Sequence, residues 1–230
     1  MKTIGLLGGM SWESSAVYYQ LINEKIREVL GGTHSAKSLM YSVEFNEIET
    51  LQHKGEWDEL TDIMIEAAKK IENGGADFLV ICTNTMHKMF DEMESAISIP
   101  ILHIADACAE KIKEHGMKKI GLLGTNFTMT QDFYKGRLEN KHSLEVLVPD
   151  EEDRKTIHEI IYNELILGKI NDKSREKYIA IIEKLKHQGA EGLILGCTEI
   201  PLLIKQKDSP ILVFDTTKIH AEKAVEFALQ

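Results

Sequence analysis

Cysteine is scarce in this chain of 230 residues, with three copies, at positions 82, 108 and 197. An odd number without C-x-x-C spacing excludes a disulfide framework and a zinc ribbon. Long apolar runs are missing too, and no window approaches the ~18 residues of a membrane-spanning helix. The start Met1-Lys2-Thr3-Ile4 runs directly into a strand pattern, without the apolar stretch and cleavage site of a signal peptide. The expected location is therefore the cytoplasm, with reduced thiols. Basic runs never exceed a lysine pair and the net charge is −10, which argues against nucleic acid and anionic membrane surfaces as partners. The nine histidines lack metal-ligand spacing, so no metal is expected. His87 and His103 are expected to be surface or satisfied structural residues. Gly5-x-x-Gly8-Gly9 differs from the G-x-G-x-x-G spacing, and no Lys-Ser/Thr follows it, so no nucleotide cofactor is expected. Lys88 stands where phosphatase chemistry at Cys82 wants a bidentate guanidinium.

What is present is a repeat. Ile-Gly-Leu-Leu-Gly occurs at Ile4–Gly8 and again at Ile120–Gly124, 116 positions later. The Gly-Ala pairs at Gly75 and Gly189 are 114 positions apart, and extending that pairing places Asp77 on Glu191, Leu79 on Leu193 and Thr83 on Cys197. Each half opens on a glycine-rich string and closes on a polar cluster, Cys82-Thr83-Asn84-Thr85 or Cys197-Thr198-Glu199. A duplicated unit facing itself places equivalent strand ends on opposite walls of a cleft, an arrangement suited to reaching both faces of one carbon.

Strand and helix patterns alternate along the chain. Strands are expected at Thr3–Leu7, Leu39–Phe45, Phe78–Cys82, Pro100–Ile104, Lys119–Leu123, Gly192–Leu195 and Pro210–Phe214. Helices are expected at Ser14–Leu30, Trp57–Glu72, Thr85–Ser95, Asp132–Leu138, Thr156–Leu167, Ser174–His187 and Lys218–Leu229. The stripe Tyr18, Leu21, Ile22, Ile26 and Val29 faces inward on the first helix, and Leu60, Ile63, Met64, Ala67 and Ile71 on the next. Phe78–Cys82 is apolar throughout, as befits a strand buried on both faces of a parallel sheet. The pattern predicts an α/β fold of two similar lobes with parallel sheets covered by helices. The expected lobes are residues 1–105 with 214–230, and residues 106–213.

Ligands in open parallel sheets bind beyond the carboxyl ends of the strands. Gly8–Ser11, Cys82–Thr85, Gly124–Asn126 and Cys197–Glu199 occupy that position, and their helix-start N–H groups favour a small anionic ligand with two carboxylates. Thr85, Thr125 and Thr198 add hydroxyls. Among the cysteines, Cys108 reads as packing. Cys82 ends an apolar strand, where packing and reactivity are both open. Cys197, after Gly196 at a strand-to-helix junction, is expected to be an exposed thiol of lowered pKa.

The strings Gly5-Leu6-Leu7-Gly8-Gly9-Met10, Cys82-Thr83-Asn84-Thr85-Met86-His87 and Gly196-Cys197-Thr198-Glu199 resemble the aspartate/glutamate racemase family, and the resemblance extends over essentially the whole chain. Met10-Ser11-Trp12-Glu13 and Gly55-Glu56-Trp57 resemble its bacterial subgroup of broad-specificity amino-acid racemases and L-aspartate/glutamate-specific racemases. The resemblance implies two lobes related by a pseudo-twofold axis, a homodimer and a small amino-acid substrate. It also implies proton transfer without pyridoxal phosphate or any other cofactor, between a thiolate on one face of the α-carbon and a thiol on the other. This chain departs from that pattern, since Thr83 stands before Asn84-Thr85 where the family places its first cysteine. Both the repeat and the resemblance thus pair Cys197 with Thr83, with Cys82 as the alternative for the first position. The loops beyond the strand ends place Met10, Ser11, Asn84, Thr85, Thr125, Thr198 and Glu199 around the substrate, with Glu199 either holding the substrate ammonium or orienting Cys197. Gln52, read as a loop residue, stands near where dicarboxylate-specific relatives carry an arginine, and its alternative is a solvated residue without a role. Related reactions on this architecture, those of hydantoin racemases, maleate isomerases and arylmalonate decarboxylases, stay open, as does non-catalytic binding of a small anion.

Overall fold

The computed structural model describes residues 1–230, which divide into two compact units, Met1–His103 with His220–Gln230, and Ile104–Ile219. In the first unit the order is β1 (Ile4–Gly8), α1 (Trp12–Leu30), β2 (Ser38–Ser42), α2 (Phe45–Lys54), α3 (Trp57–Asn73), β3 (Phe78–Ile81), a 3-10 turn (Thr85–Met89), α4 (Phe90–Ala96) and β4 (Ile101–Leu102). The second unit contains α5 (Ile104–Glu114), β5 (Lys119–Gly124), α6 (Asn126–Thr130), α7 (Lys135–His142), β6 (Glu145–Leu147), α8 (Glu151–Asn163), α9 (Asp172–His187), β7 (Gly192–Gly196), α10 (Ile200–Leu203) and β8 (Leu212–Asp215). The last helix, α11 (Thr216–Leu229), starts in the second unit, and its residues from His220 onward belong to the first.

The two sheets have the same topology. Strand order is β2-β1-β3-β4 in one and β6-β5-β7-β8 in the other, and every pairing is parallel. Alternation along β1 and β3 sorts the core of the first unit into two layers. Ile4, Leu6, Phe78 and Val80 pack with Tyr18, Ile22 and Ile26 of α1 and with Ala221, Ala224 and Val225 of α11. Leu7, Leu79 and Ile81 pack on the other face with Ile48, Leu60, Met64 and Ala67. Each such side chain, taken fully out of water, contributes roughly 1.5–3 kcal/mol. Covered on both faces, the central strands carry no polar side chains, which explains their continuous apolar character.

The sequence repeat corresponds to structural equivalence at hydrogen-bond level. Asp77 N donates to Thr3 O at 2.9 Å, while its Oδ2 accepts from Thr3 N at 2.5 Å. At the paired position Glu191 N donates to Lys119 O at 2.8 Å, and its Oε2 accepts from Lys118 N and Lys119 N at 2.6 and 2.9 Å. Leu79 lies beside Gly5 as Leu193 lies beside Gly121.

Several elements differ from expectation. The second strand stops at Ser42, and Phe45 opens α2, a helix not anticipated. Glu44 starts it by accepting from Asn46 N and Glu47 N at 3.1 and 2.8 Å, and Gly55 in the left-handed region ends it. β6 and α6 are further additions. α8 begins at Glu151, capped by Asp150, five residues ahead of the expected Thr156. Thr85–Met89 is a 3-10 turn before α4, so the expected single helix is two segments. Val29, expected inward, is 52% exposed at the end of α1.

Candidate active site

In the first unit, β1 and β3 end side by side, with Leu7 opposite Ile81 and Cys82 N donating to Leu7 O at 2.9 Å. Their following loops therefore emerge together. After β1 the chain turns at Gly9, whose φ of 97° favours glycine, and a Cβ there would run into Val43. Gly9 N donates to Ser15 Oγ at 2.8 Å, and Ser15 Oγ donates to Ser11 O at 3.0 Å, tying the loop onto the first turn of α1. Ser11 caps that helix through Ser14 N and lies 3.2 Å, oxygen to oxygen, from Ser14 Oγ. Met10 is buried in the layer that holds Ile48 and Leu51.

Gln52, next to Leu51, is neither in a loop nor solvated. It lies in α2, is 4% exposed, and its side-chain amide has no hydrogen-bond partner in the chain. After β3, Cys82 is fully buried among Ile4, Leu6, Tyr18, Val80 and Ala221. Its Sγ has one sulfur contact, 3.8 Å to Val80 O, and burial pushes the thiol up. Thr83 is 9% exposed, and its hydroxyl takes no hydrogen bond within the chain. Asn84 and Thr85 are buried beside it.

His87 and His103 are also buried, at 1% and 5% exposure, so they are not surface residues. His87 Nδ1 reaches back 2.8 Å to the Thr83 carbonyl, and its ring lies 4.6 Å from that of His103 and 5.8 Å from that of His220. His220 is bonded to Tyr18 Oη and to Leu102 O, each at 2.9 Å. Burial, with the neighbouring His220, lowers His87 to about 3, and burial lowers His220 to about 4.

In the second unit β5 and β7 end with Gly124 beside Gly196. Neither position has room for a side chain: a Cβ on Gly124 would sit 2.8 Å from Gly196 O, and one on Gly196 2.9 Å from Leu123 O. Thr125 caps α6 through Thr128 N, and its Oγ1 lies 3.1 Å from Thr128 Oγ1. This hydroxyl pair is Ser11–Ser14 displaced by the same 114 positions that relate Thr83 to Cys197. That offset was readable from the sequence and would have found Ser14 and Thr128. The Tyr18–His220 contact joins residues 202 positions apart and left no such signal.

Cys197 corrects an expectation. The thiol is not exposed and its pKa is not lowered. Cys197 is 8% exposed, and its Sγ donates to Glu199 Oε2 at 2.9 Å, which also accepts from Thr198 Oγ1 at 2.7 Å. Burial raises the thiol well above its ordinary range, and Glu199 raises it further by charge and by hydrogen bond. The backbone N–H groups of Glu199 and Ile200 pull the other way without overcoming this. Each loop pair thus gathers Met10, Ser11, Thr83, Asn84 and Thr85 in one unit and Thr125, Cys197, Thr198 and Glu199 in the other. No group of three or more His, Cys, Asp or Glu side chains is arranged to hold a metal ion, and no helix is long and apolar enough to cross a membrane.

Comparison with known proteins follows the same lines. A crystal structure from Yersinia pestis, presented under the Asp/Glu racemase name, is 53% identical, superposes with a TM-score of 0.94 and covers 100% of both chains. An aspartate racemase homologue from Pyrococcus horikoshii OT3 is 39% identical, with a TM-score of 0.87 and full coverage of both chains. A broad specificity amino-acid racemase of Bacillus subtilis is 26% identical over 232 residues, 96% of each chain. The family model described as Asp/Glu/Hydantoin racemase matches residues 7–224. The chain therefore belongs to the Asp/Glu/hydantoin racemase family and is an isomerase of the racemase class.

Proposed function

We propose that the protein inverts the α-carbon of aspartate and glutamate, and of further amino acids, by two-base proton transfer without pyridoxal phosphate. Cys197 serves one face and Thr83 the other. The observation that carries this reading is the equivalence of Thr83 and Cys197 at the ends of matching strands, one in each unit, with the Thr83 hydroxyl unengaged by the chain. Cys82, buried in the core, is read as a packing residue.

Starting from one enantiomer, the Cys197 proton passes to Glu199, and the thiolate removes the α-proton. The Thr83 hydroxyl then delivers a proton to the opposite face, and the proton held on Glu199 leaves to water as water reprotonates Thr83, which returns both groups to their starting states. Starting from the other enantiomer, Thr83 must act as the base, or orient a water that does, while Cys197–SH donates. An alcohol is a far poorer base than a thiolate, so the two directions have unequal rates. The hydroxyls of Ser11 and Thr125, with Asn84 and Thr85, are the donors for the substrate carboxylates as charge develops, while the Thr198 hydroxyl is spent on Glu199. Gln52 offers an amide without charge to the substrate side chain, which admits uncharged amino acids beside the dicarboxylates. The broad specificity of the Bacillus relative is consistent with this. The active assembly is proposed to be a homodimer.

The test is incubation in D₂O with L- and D-aspartate and L- and D-glutamate under reducing conditions. Loss of the α-proton signal is followed by NMR, and the enantiomer ratio by chiral chromatography. Exchange with inversion and unequal initial rates is expected. Absence of exchange with all four, from protein whose Cys197 is reduced, would overturn the reading.

A further inference from the structure

We propose that His87 is a positioning residue for the reaction: through its bond to the Thr83 main-chain carbonyl it sets where the Thr83 hydroxyl points. The proposal rests on the reading that Thr83 serves one face of the α-carbon. A carbonyl oxygen only accepts, so the 2.8 Å contact requires the proton on His87 Nδ1. The bond spans the loop from residue 87 back to residue 83 and so fixes the peptide plane that follows Thr83. No hydrogen bond to the hydroxyl aims that side chain directly, so its direction follows the backbone that carries it.

The ring that makes this bond is itself held. His103 lies against it at 4.6 Å with a 55° tilt, and Phe90 lies 4.7 Å from His103. His220 approaches at 5.8 Å, with its own Nε2–H donated to Leu102 O and its Nδ1 accepting from Tyr18. The Thr83 loop is thereby anchored to α1, β4 and α11 by a chain of buried groups. Burial also keeps the His87 ring neutral over the whole working range, so the bond does not come and go with pH.

The second unit handles its loop differently. The 114-residue offset places His87 on Pro201, which has no side-chain donor and instead lies in the first turn of α10. There the reacting side chain is held directly, by Glu199 on Cys197 Sγ. The thiol carries its own partner, whereas the hydroxyl is aimed through its backbone. A weak acid–base group such as an alcohol depends strongly on placement, since a displacement of about 1 Å can cost about 100-fold in rate.

The experiment compares His87→Asn with His87→Gln in the full-length protein. The Asn amide nitrogen stands near the place of Nδ1 and can still donate to the Thr83 carbonyl. The Gln amide reaches the place of Nε2 and leaves that carbonyl without its donor. Both put an uncharged amide into the same buried space, so a purely structural role affects them alike. Expected are a kcat within about threefold of wild type for His87→Asn, and a fall of about 10- to 100-fold for His87→Gln with KM changed far less. In a Thr83→Ala background the Asn/Gln difference should vanish for the one-sided α-proton exchange that Cys197 still supports. Equal kcat for the two variants, or an undiminished difference in the Thr83→Ala background, would overturn the proposal. Cys197→Ser is measured alongside: retention of full exchange there sinks the two-base reading itself, whereas its loss with equal His87 variants sinks the positioning role alone.

Discussion

In the proposed reaction the chemistry at Cys197 turns on one short contact. Its thiol lies 2.9 Å from Glu199 Oε2 in a nearly dry setting, and the carboxylate is among the causes that hold the proton on sulfur. Replacing Glu199 by Gln removes that charge, so the thiol pKa falls, and alkylation by iodoacetamide should set in at lower pH than in the wild type. In the proposed mechanism the same variant also loses the group that accepts the thiol proton. Its kcat from the enantiomer that uses Cys197 as base should drop by about 10²–10⁴. Alkylation that begins at the same pH in both proteins would show that Glu199 does not govern the thiol. Thr83→Cys should act in the opposite sense and raise initial rates from the slower enantiomer by about tenfold or more, since a thiolate is the better base; an unchanged slow direction in the D₂O assay would count against the pairing. The correspondence of these two positions was legible in the sequence because the repeat aligns them. The environment of Cys197 was not, because a strand-to-helix junction reads as exposed until the packing that covers it is known. Gln52 was misread for a related reason: Phe45, Ile48 and Leu51 carry a weak helical period, and its start depends on the Glu44 side chain capping its own backbone.

Among the elements, the long periodic helices and the apolar strands were legible, and the short ones were not. β6 has three residues, Glu145–Leu147, with one of them buried, so it carries no alternation to detect, and it exists because β5 offers it an edge. Loops that present the site are held by contacts that can be removed singly. Ser15 Oγ accepts from Gly9 N and donates to Ser11 O. Ser15→Ala leaves a buried N–H without its partner, at a cost of about 1–3 kcal/mol. The expected outcome is a lower urea midpoint together with a raised KM, because Met10 and Ser11 lie between the two anchors. At the end of β7, Gly196→Ala brings a Cβ to 2.9 Å from Leu123 O and 3.2 Å from Thr128 Cγ2. Backbone on one side and a buried threonine of α6 on the other cannot both yield, so about 1–3 kcal/mol of stability is lost, and activity falls as Cys197 is displaced. Cys82 occupies the equivalent place in the first unit without penalty, since its side chain enters the layer of Tyr18 and Val80. A Gly196→Ala protein with wild-type midpoint and wild-type kcat would show that this close approach is unimportant.

On the scale of the whole molecule, the buried histidines all belong to one of the two units. His87 and His220 lie in the first, both well below the ordinary value of about 6.5. When the chain unfolds below that value, the histidines take up protons that the native state refuses. The unfolded state then binds more protons, so stability rises with pH across this range and is lost as pH falls from about 6.5 toward the native values of about 4 for His220 and about 3 for His87. Two such groups give a slope approaching about 2.7 kcal/mol per pH unit once the unfolded histidines are fully charged. Both tryptophans, Trp12 and Trp57, also belong to the first unit, so their fluorescence follows that unit alone. Urea unfolding read by tryptophan emission should therefore show a midpoint that drops clearly between pH 7 and pH 5, before most carboxylates titrate. His220→Gln, which cannot charge, should flatten that dependence by about half even though the variant starts less stable. A midpoint that stays level from pH 7 to pH 5 would mean that the histidines behind the Thr83 loop are already charged or solvated in the native protein, and the anchored loop described above would lose its physical basis.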